Sequence, residues 1–169
     1  MASADPHSDF EGAVRDFSPM VARIASSYEA DAAVAEELVQ DTFTALWRAL
    51  PSFRGDGSLK AFVARIAHNV SVSHVRRSAR ASKVAIEHDL PDDGPAPDTL
   101  TEQDALRREL LAAARGLPLS YRQVITLHLE GFSNTEIADT LALSASNVGA
   151  RLTRARDRLR EALGAHHEA

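Results

Sequence analysis

The stretch EHDLPDDGPAPD, residues 87–98, divides the chain into two. It holds three prolines, a glycine and five acids, with little apolar surface to bury. Such a segment neither propagates a helix nor joins a core, so residues 84–100 read as a flexible acidic linker. What flanks it must fold as two small domains, at residues 9–83 and 101–163, each with its own core. Residues 1–8 and 164–169 read as an unstructured N-terminus and a tail.

On both sides the apolar residues recur at helical spacing, and no useful strand-like alternation occurs. The first helical face carries Phe10, Val14, Phe17, Val21 and Ile24, with Pro19 predicted to kink or divide that helix. A second helix opens near Asp31 and carries Val39, Phe43, Leu46 and Leu50. The turn PSFRGDGS follows, and Ser58 is placed to cap a third helix with Leu59, Phe62, Val63, Ile66 and Val70 on one face. That helix runs out through Arg76, Arg77, Arg80 and Lys83. Beyond the linker, periodicity resumes near Thr101 through Leu106, Leu110 and Leu117. Ser120 with Gln123 and Ser133 with Glu136 both match the capping box. Ser144 would cap the last helix, whose buried stripe is Val148, Leu152, Ala155 and Leu159. The fold class is therefore all-α.

Helix 134–141, a short turn at Ala142–Leu143 and helix 145–162 have the proportions of a helix-turn-helix. Small Ala138 permits close approach, with Ile137, Leu141 and Val148 filling the space between the helices. In this geometry the start of the second helix meets base edges, which points to Ser144, Ser146, Asn147, Ala150, Arg151 and Arg154. Arg156, Arg158 and Arg160 extend the basic end toward phosphates.

Charge sets a problem for that reading. The chain holds 24 acids and 19 bases, a net charge of -5, whereas DNA affinity comes largely from cations that neutralise phosphates. The charge is segregated, with nine acids against three bases in residues 1–50 and seven bases against one acid in residues 51–85. Residues 86–104 hold seven acids and no base. Blocks of this kind suggest separate surfaces for separate partners.

Other functions find little support. The chain has no cysteine, which excludes disulfides, thiolate metal sites and cysteine nucleophiles. The histidines are scattered, RGDG is too short for a phosphate loop, and no metal-ligand spacing occurs. Neither an enzyme, a cofactor, a metal nor a small-molecule substrate is expected. The N-terminus MASADPHSDFEG lacks the apolar run of a secretory signal, and no stretch approaches the roughly 18 apolar residues of a membrane span. A cytoplasmic protein without membrane insertion is the expectation.

The segment AEELVQDTFTALWRALPSFRGDGSLKAFVARIAHNVSVSHVRR resembles region 2 of the sigma-70 family of bacterial transcription initiation factors, of the small extracytoplasmic-function type. The segment LPLSYRQVITLHLEGFSNTEIADTLALS is similar to region 4 of the same family, so the resemblance covers nearly the whole chain in the right order. It implies that the helix Glu36–Trp47 docks on core RNA polymerase, through Glu37, Gln40, Asp41, Leu46 and Trp47. It implies that residues 60–77 read and melt the minus-ten promoter element, with Asn69 where a base is extruded. Lys60, Phe62, Arg65, Arg76, Arg77 and Arg80 complete that set. The helix-turn-helix residues above, Arg156 included, would read the minus-thirty-five element.

The resemblance further implies an anti-sigma factor as a partner beside core polymerase and promoter DNA, and a linker that threads toward the polymerase's active centre. Carboxylates there could imitate the phosphates of nascent RNA. Two departures are visible. Phe62 and Ala64 stand where Trp and Tyr are common, and Gly149 and Ala150 replace a basic residue and a serine. The second predicts an unusual minus-thirty-five sequence or a weaker dependence on it. The resemblance also resolves the charge problem, since a sigma factor borrows its nonspecific grip on DNA from the polymerase. The competing readings are a stand-alone helix-turn-helix regulator and a divergent relative that sequesters another regulator.

Overall fold

The computed structural model describes residues 6–84 and 101–167. The acidic stretch 85–100, with the RNA-imitating carboxylates expected on it, lies outside the described residues. Two compact units result, Met1–Leu90 and Pro91–Ala169. Every regular element among the described residues is helical.

In the first unit α1 (Pro6–Ser26), α2 (Ala32–Ala49) and α3 (Leu59–Val84) pack pairwise against one another. Helix α1 begins within the segment predicted to be unstructured and runs undivided through Pro19. The proline lies on the exposed side, where water can replace the missing amide as partner of the Arg15 carbonyl. Asp31 starts α2 by accepting from the amides of Ala33 (2.8 Å) and Val34 (3.1 Å). Pro51, in the 3-10 turn Leu50–Ser52, lacks the amide that would extend α2 by donating to the Trp47 carbonyl. Gly55 and Gly57 then take φ of 79° and 90°, which a side chain would resist. Ser58 caps α3, its Oγ accepting from the Ala61 amide at 3.1 Å.

The core is shifted by about one position from the predicted stripes. On α2 the buried residues are Ala35, Leu38, Thr42 and Leu46, while Val39, Phe43 and Leu50 lie at the flank. Thr42 can be buried because its hydroxyl donates to the Leu38 carbonyl at 2.7 Å. On α3 the buried set is Val63, Ala64, Ala67, His68, Ser71 and Val72. The aromatic residues of the predicted stripes are used at the rim instead. Phe10 meets Phe43 and Trp47 edge to face, and Phe62 lies 5.0 Å from Phe53.

His68 is 3% exposed, its Nδ1 lying 3.0 Å from the Tyr28 hydroxyl. Burial, reinforced by the Arg76 charge, lowers its pKa to about 4. The unfolded chain, with an ordinary histidine near pH 6.5, takes up the proton first as pH falls. Stability is therefore retained above about pH 6.5 and lost progressively down to about pH 4. Between pH 7 and pH 5 the first unit is expected to lose about 2 kcal/mol, measured from urea midpoints. A His68→Gln variant should lose distinctly less over the same interval.

In the second unit α4 (Glu102–Arg115), α5 (Leu119–Leu129), α6 (Asn134–Leu141) and α7 (Ala145–His167) surround Val124, Ile125, Leu127, Ile137, Val148 and Leu152. Thr101 and Asp104 form a reciprocal capping box at the start of α4. The box predicted at Ser120 and Gln123 does not form, because α5 starts earlier. The Pro118 carbonyl already accepts from the Tyr121 and Arg122 amides, at 2.9 and 3.0 Å, which leaves Ser120 inside the first turn. Arg122 closes the end of α4 by donating to the Arg115 and Leu117 carbonyls. Leu106, on the predicted apolar spacing of α4, is 61% exposed and lies outside the core.

Candidate partner-binding and nucleic-acid surfaces

At about 100° per residue, Glu37, Gln40 and Asp41 fall within about 100° of arc on α2. All three are exposed. This arc is opposite the buried stripe, so the packing of Ala35, Leu38, Thr42 and Leu46 is what turns the acids outward. Leu46 is fully buried and supports this surface from beneath, so its predicted direct contact with a partner is corrected. Trp47 is 47% exposed, its ring 5.0 Å from that of Phe10 at 79°. It extends the acidic face with a large apolar edge.

The predicted minus-ten residues divide on α3. Phe62, Arg65, Asn69, Arg76 and Arg80 fall within about 60° of arc, a single face along five turns. Arg65, Asn69, Arg76 and Arg80 are exposed, and Phe62 is half-buried on Phe53. Lys60 is half-buried and lies on the far side of the helix. Arg77 sits about 120° from Arg65 and lines a cleft with Glu37 and Asp41 of α2. Neither belongs to the cationic face. Asn69 projects from the exposed side immediately after buried His68, so the core contact of His68 and Tyr28 fixes the turn that carries it.

The second unit builds its surface around the turn between α6 and α7. Ser133 and Glu136 exchange both capping hydrogen bonds, at 3.2 and 2.7 Å. Ala142 takes the left-handed conformation, φ 54°, and Ser144 then accepts from the Asn147 amide at 3.2 Å. A side chain in that conformation costs roughly 1–2 kcal/mol, which the burial of Ile137, Ala138 and Val148 between the helices offsets.

Opposite the stripe Val148, Leu152, Ala155 and Leu159, helix α7 exposes Ser146, Asn147, Ala150, Thr153, Arg154 and Asp157. Ser144 lies exposed at the head of this face, and Arg151 is half-buried at its edge. Arg156 does not join it. Its Nη2 lies 2.9 Å from His128 Nε2 on the other flank, and partial burial with the Arg156 charge lowers the pKa of His128. Arg158 stacks over the Tyr121 ring at 5.4 Å, and Arg160 pairs with Asp157 at 2.9 Å. The exposed arc opposite the buried stripe is thus mostly small and polar, with Arg154 as its principal cation.

Two sequence patterns fall on these surfaces, Sigma-70 region 2 on residues 13–81 and Sigma-70, region 4 on residues 107–159. The ECF RNA polymerase sigma-E factor of Escherichia coli is 33% identical over 132 residues, covering 72% of this chain and 69% of that protein. The chain belongs to the sigma-70 family, among its ECF sigma factors. The ECF RNA polymerase sigma factor SigE of Mycolicibacterium smegmatis is 31% identical over 157 residues. That match covers 90% of this chain, which spans 61% of the relative's length.

Among solved structures, the sigma factor RpoE from Bartonella quintana, in complex with the anti-sigma factor NepR, matches with a TM-score of 0.75 at 26% identity. The match covers 92% of this chain and 97% of that one. CnrH, in complex with the cytosolic domain of CnrY, matches with a TM-score of 0.69 at 28% identity, covering 96% and 92%.

For this sigma factor, reading the sequence missed Thr153 and Asp157 on the exposed face of α7. Counting about 100° per residue from the buried stripe finds both. No described helix is long and apolar enough to cross a membrane.

Proposed function

We propose that this ECF sigma factor binds core RNA polymerase and directs it to promoters, in the cytoplasm and under anti-sigma control. The observation that carries the proposal is the order of the two matched regions on one chain, 13–81 and 107–159, each bearing an exposed surface suited to its role. The acids of α2 offer acceptors to basic groups on the polymerase. The face of α3 combines three arginines with Asn69, a set that can follow a phosphate backbone and hold one extruded base. Extrusion costs a few kcal/mol, recovered from such contacts. The exposed head of α7 enters the major groove at the minus-thirty-five element. Bond-making stays with the polymerase. That both solved relatives were captured with a bound protein, one of them an anti-sigma factor, supports control by a protein of that class.

The net charge of -5 supports a sigma factor over a stand-alone regulator, since the chain itself supplies few excess cations for duplex DNA. The test is fluorescence anisotropy of labelled promoter duplex titrated with the chain, with core polymerase, and with both. Weak binding by the chain alone and salt-resistant, sequence-selective binding by the pair is the expected result. Tight binding of duplex by the chain alone would instead favour the stand-alone regulator.

A further inference from the structure

Between α2 and the second half of α3 lies a cleft of about 400 Å³, with Glu37, Leu38 and Asp41 on one wall and His74, Arg77 and Ala81 on the other. Resting on the proposed reading, we infer that Arg77 acts in polymerase docking and not in minus-ten recognition. The cleft takes a helical segment of core polymerase that presents an acidic side chain beside basic ones.

Two observations and one electrostatic argument carry this. Arg77 points away from the face shared by Arg65, Asn69, Arg76 and Arg80, by about 100° even from its neighbour Arg76. It opens onto the same cleft as two carboxylates, so a phosphate backbone approaching it would meet Glu37 and Asp41 with like charge. A protein segment carrying both signs satisfies all three groups at once, which is the usual basis of register and specificity at charged interfaces.

The charges are also available. Among the described residues, Glu37, Asp41 and Arg77 are exposed and make no ion pair with one another or with any other described side chain. His74 is different, since its Nε2 already meets Glu29 Oε2 at 2.7 Å. That pair is part-buried and fixes the wall from which Arg77 projects. Buried Leu38 supplies an apolar floor, and Ala81 leaves room for an approaching helix.

The experiment measures affinity for core polymerase without DNA, and separately the affinity of the preformed holoenzyme for a minus-ten fork DNA. R77E is expected to weaken core binding about tenfold. Once saturating protein restores the holoenzyme, R77E should bind fork DNA nearly as wild type does. R76E should show the opposite split, with DNA affinity falling and core affinity holding. R77Q, which removes charge without reversing it, should fall between wild type and R77E in core binding, with unchanged helical circular dichroism. Wild-type core affinity in R77E together with weakened fork binding overturns the inference and returns Arg77 to the DNA surface. Failure of the wild-type chain to bind core at all would overturn the proposed function as well, so the two failures are distinct.

Discussion

Replacing Glu37 and Asp41 together by lysine is expected to lower the affinity of this sigma factor for core polymerase by about 100-fold, or about 2.7 kcal/mol. Both side chains are exposed on α2, so the change leaves the core of the first unit intact. Under the proposed docking, reversal does more than remove an attraction, because each new ammonium would be set against the basic groups proposed to meet the carboxylates. Close charge pairs at protein interfaces couple by about 1.5–7 kcal/mol, so the expected loss lies toward the lower end for two sites. Competition against wild-type protein for core polymerase measures it, with circular dichroism as the control for folding. Retained affinity in the double variant would place the docking surface elsewhere.

The second large effect is structural. Leu152 is 2% exposed at the centre of the α7 stripe, between Val148 and Ala155, which are fully buried. Leu152→Ala is expected to cost about 3 kcal/mol, from lost transfer free energy and the cavity left behind. A unit of this size has little stability in reserve, and its melting temperature should fall by about 15 °C. The proposed minus-thirty-five recognition should fail with it, since the stripe is what holds the opposite face outward. The single tryptophan, Trp47, lies in the first unit, so its emission follows that unit while circular dichroism follows both. Early loss of helical signal with an unmoved Trp47 transition is the expected pattern. An unchanged melt would mean that α7 is not held by this stripe.

Local chemistry was the most legible part of the sequence. The caps expected at Ser58, Ser133 and Ser144 each depend on one side chain reaching an amide three residues away, and all three form. Ser120 failed because Pro118, outside the capping pattern, opened the helix first. Pro19 failed as a divider because a proline facing solvent forfeits only one hydrogen bond while packing holds both sides. The shifted core of α2 and α3 reflects Thr42, Ser71 and His68, which hydropathy places outside but which are buried here. For Thr42 and His68 the hydrogen-bond partner that makes burial affordable is a main-chain carbonyl and the Tyr28 hydroxyl.

The surfaces were legible only in part. Asn69 and the arginines of α3 could be picked out by residue type, yet periodicity along one helix cannot reveal that Arg77 faces α2. That fact belongs to the packing of two helices, as does the burial of Leu46 beneath the acids it was grouped with. On α7 the pairing of Arg156 with His128 joins residues 28 positions apart. It sets Arg156 on a different flank from the exposed residues with which it was grouped.

In the proposed function this sigma factor gives core polymerase its choice of promoter. The most direct test is transcription by purified bacterial core polymerase from a library of randomised promoters, with and without the protein. Transcripts that appear only on its addition and share two sequence elements are expected, with the Asn69→Ala variant depleted in open complexes at the minus-ten position. Equal transcription with and without the protein, or initiation with no shared element, would contradict it.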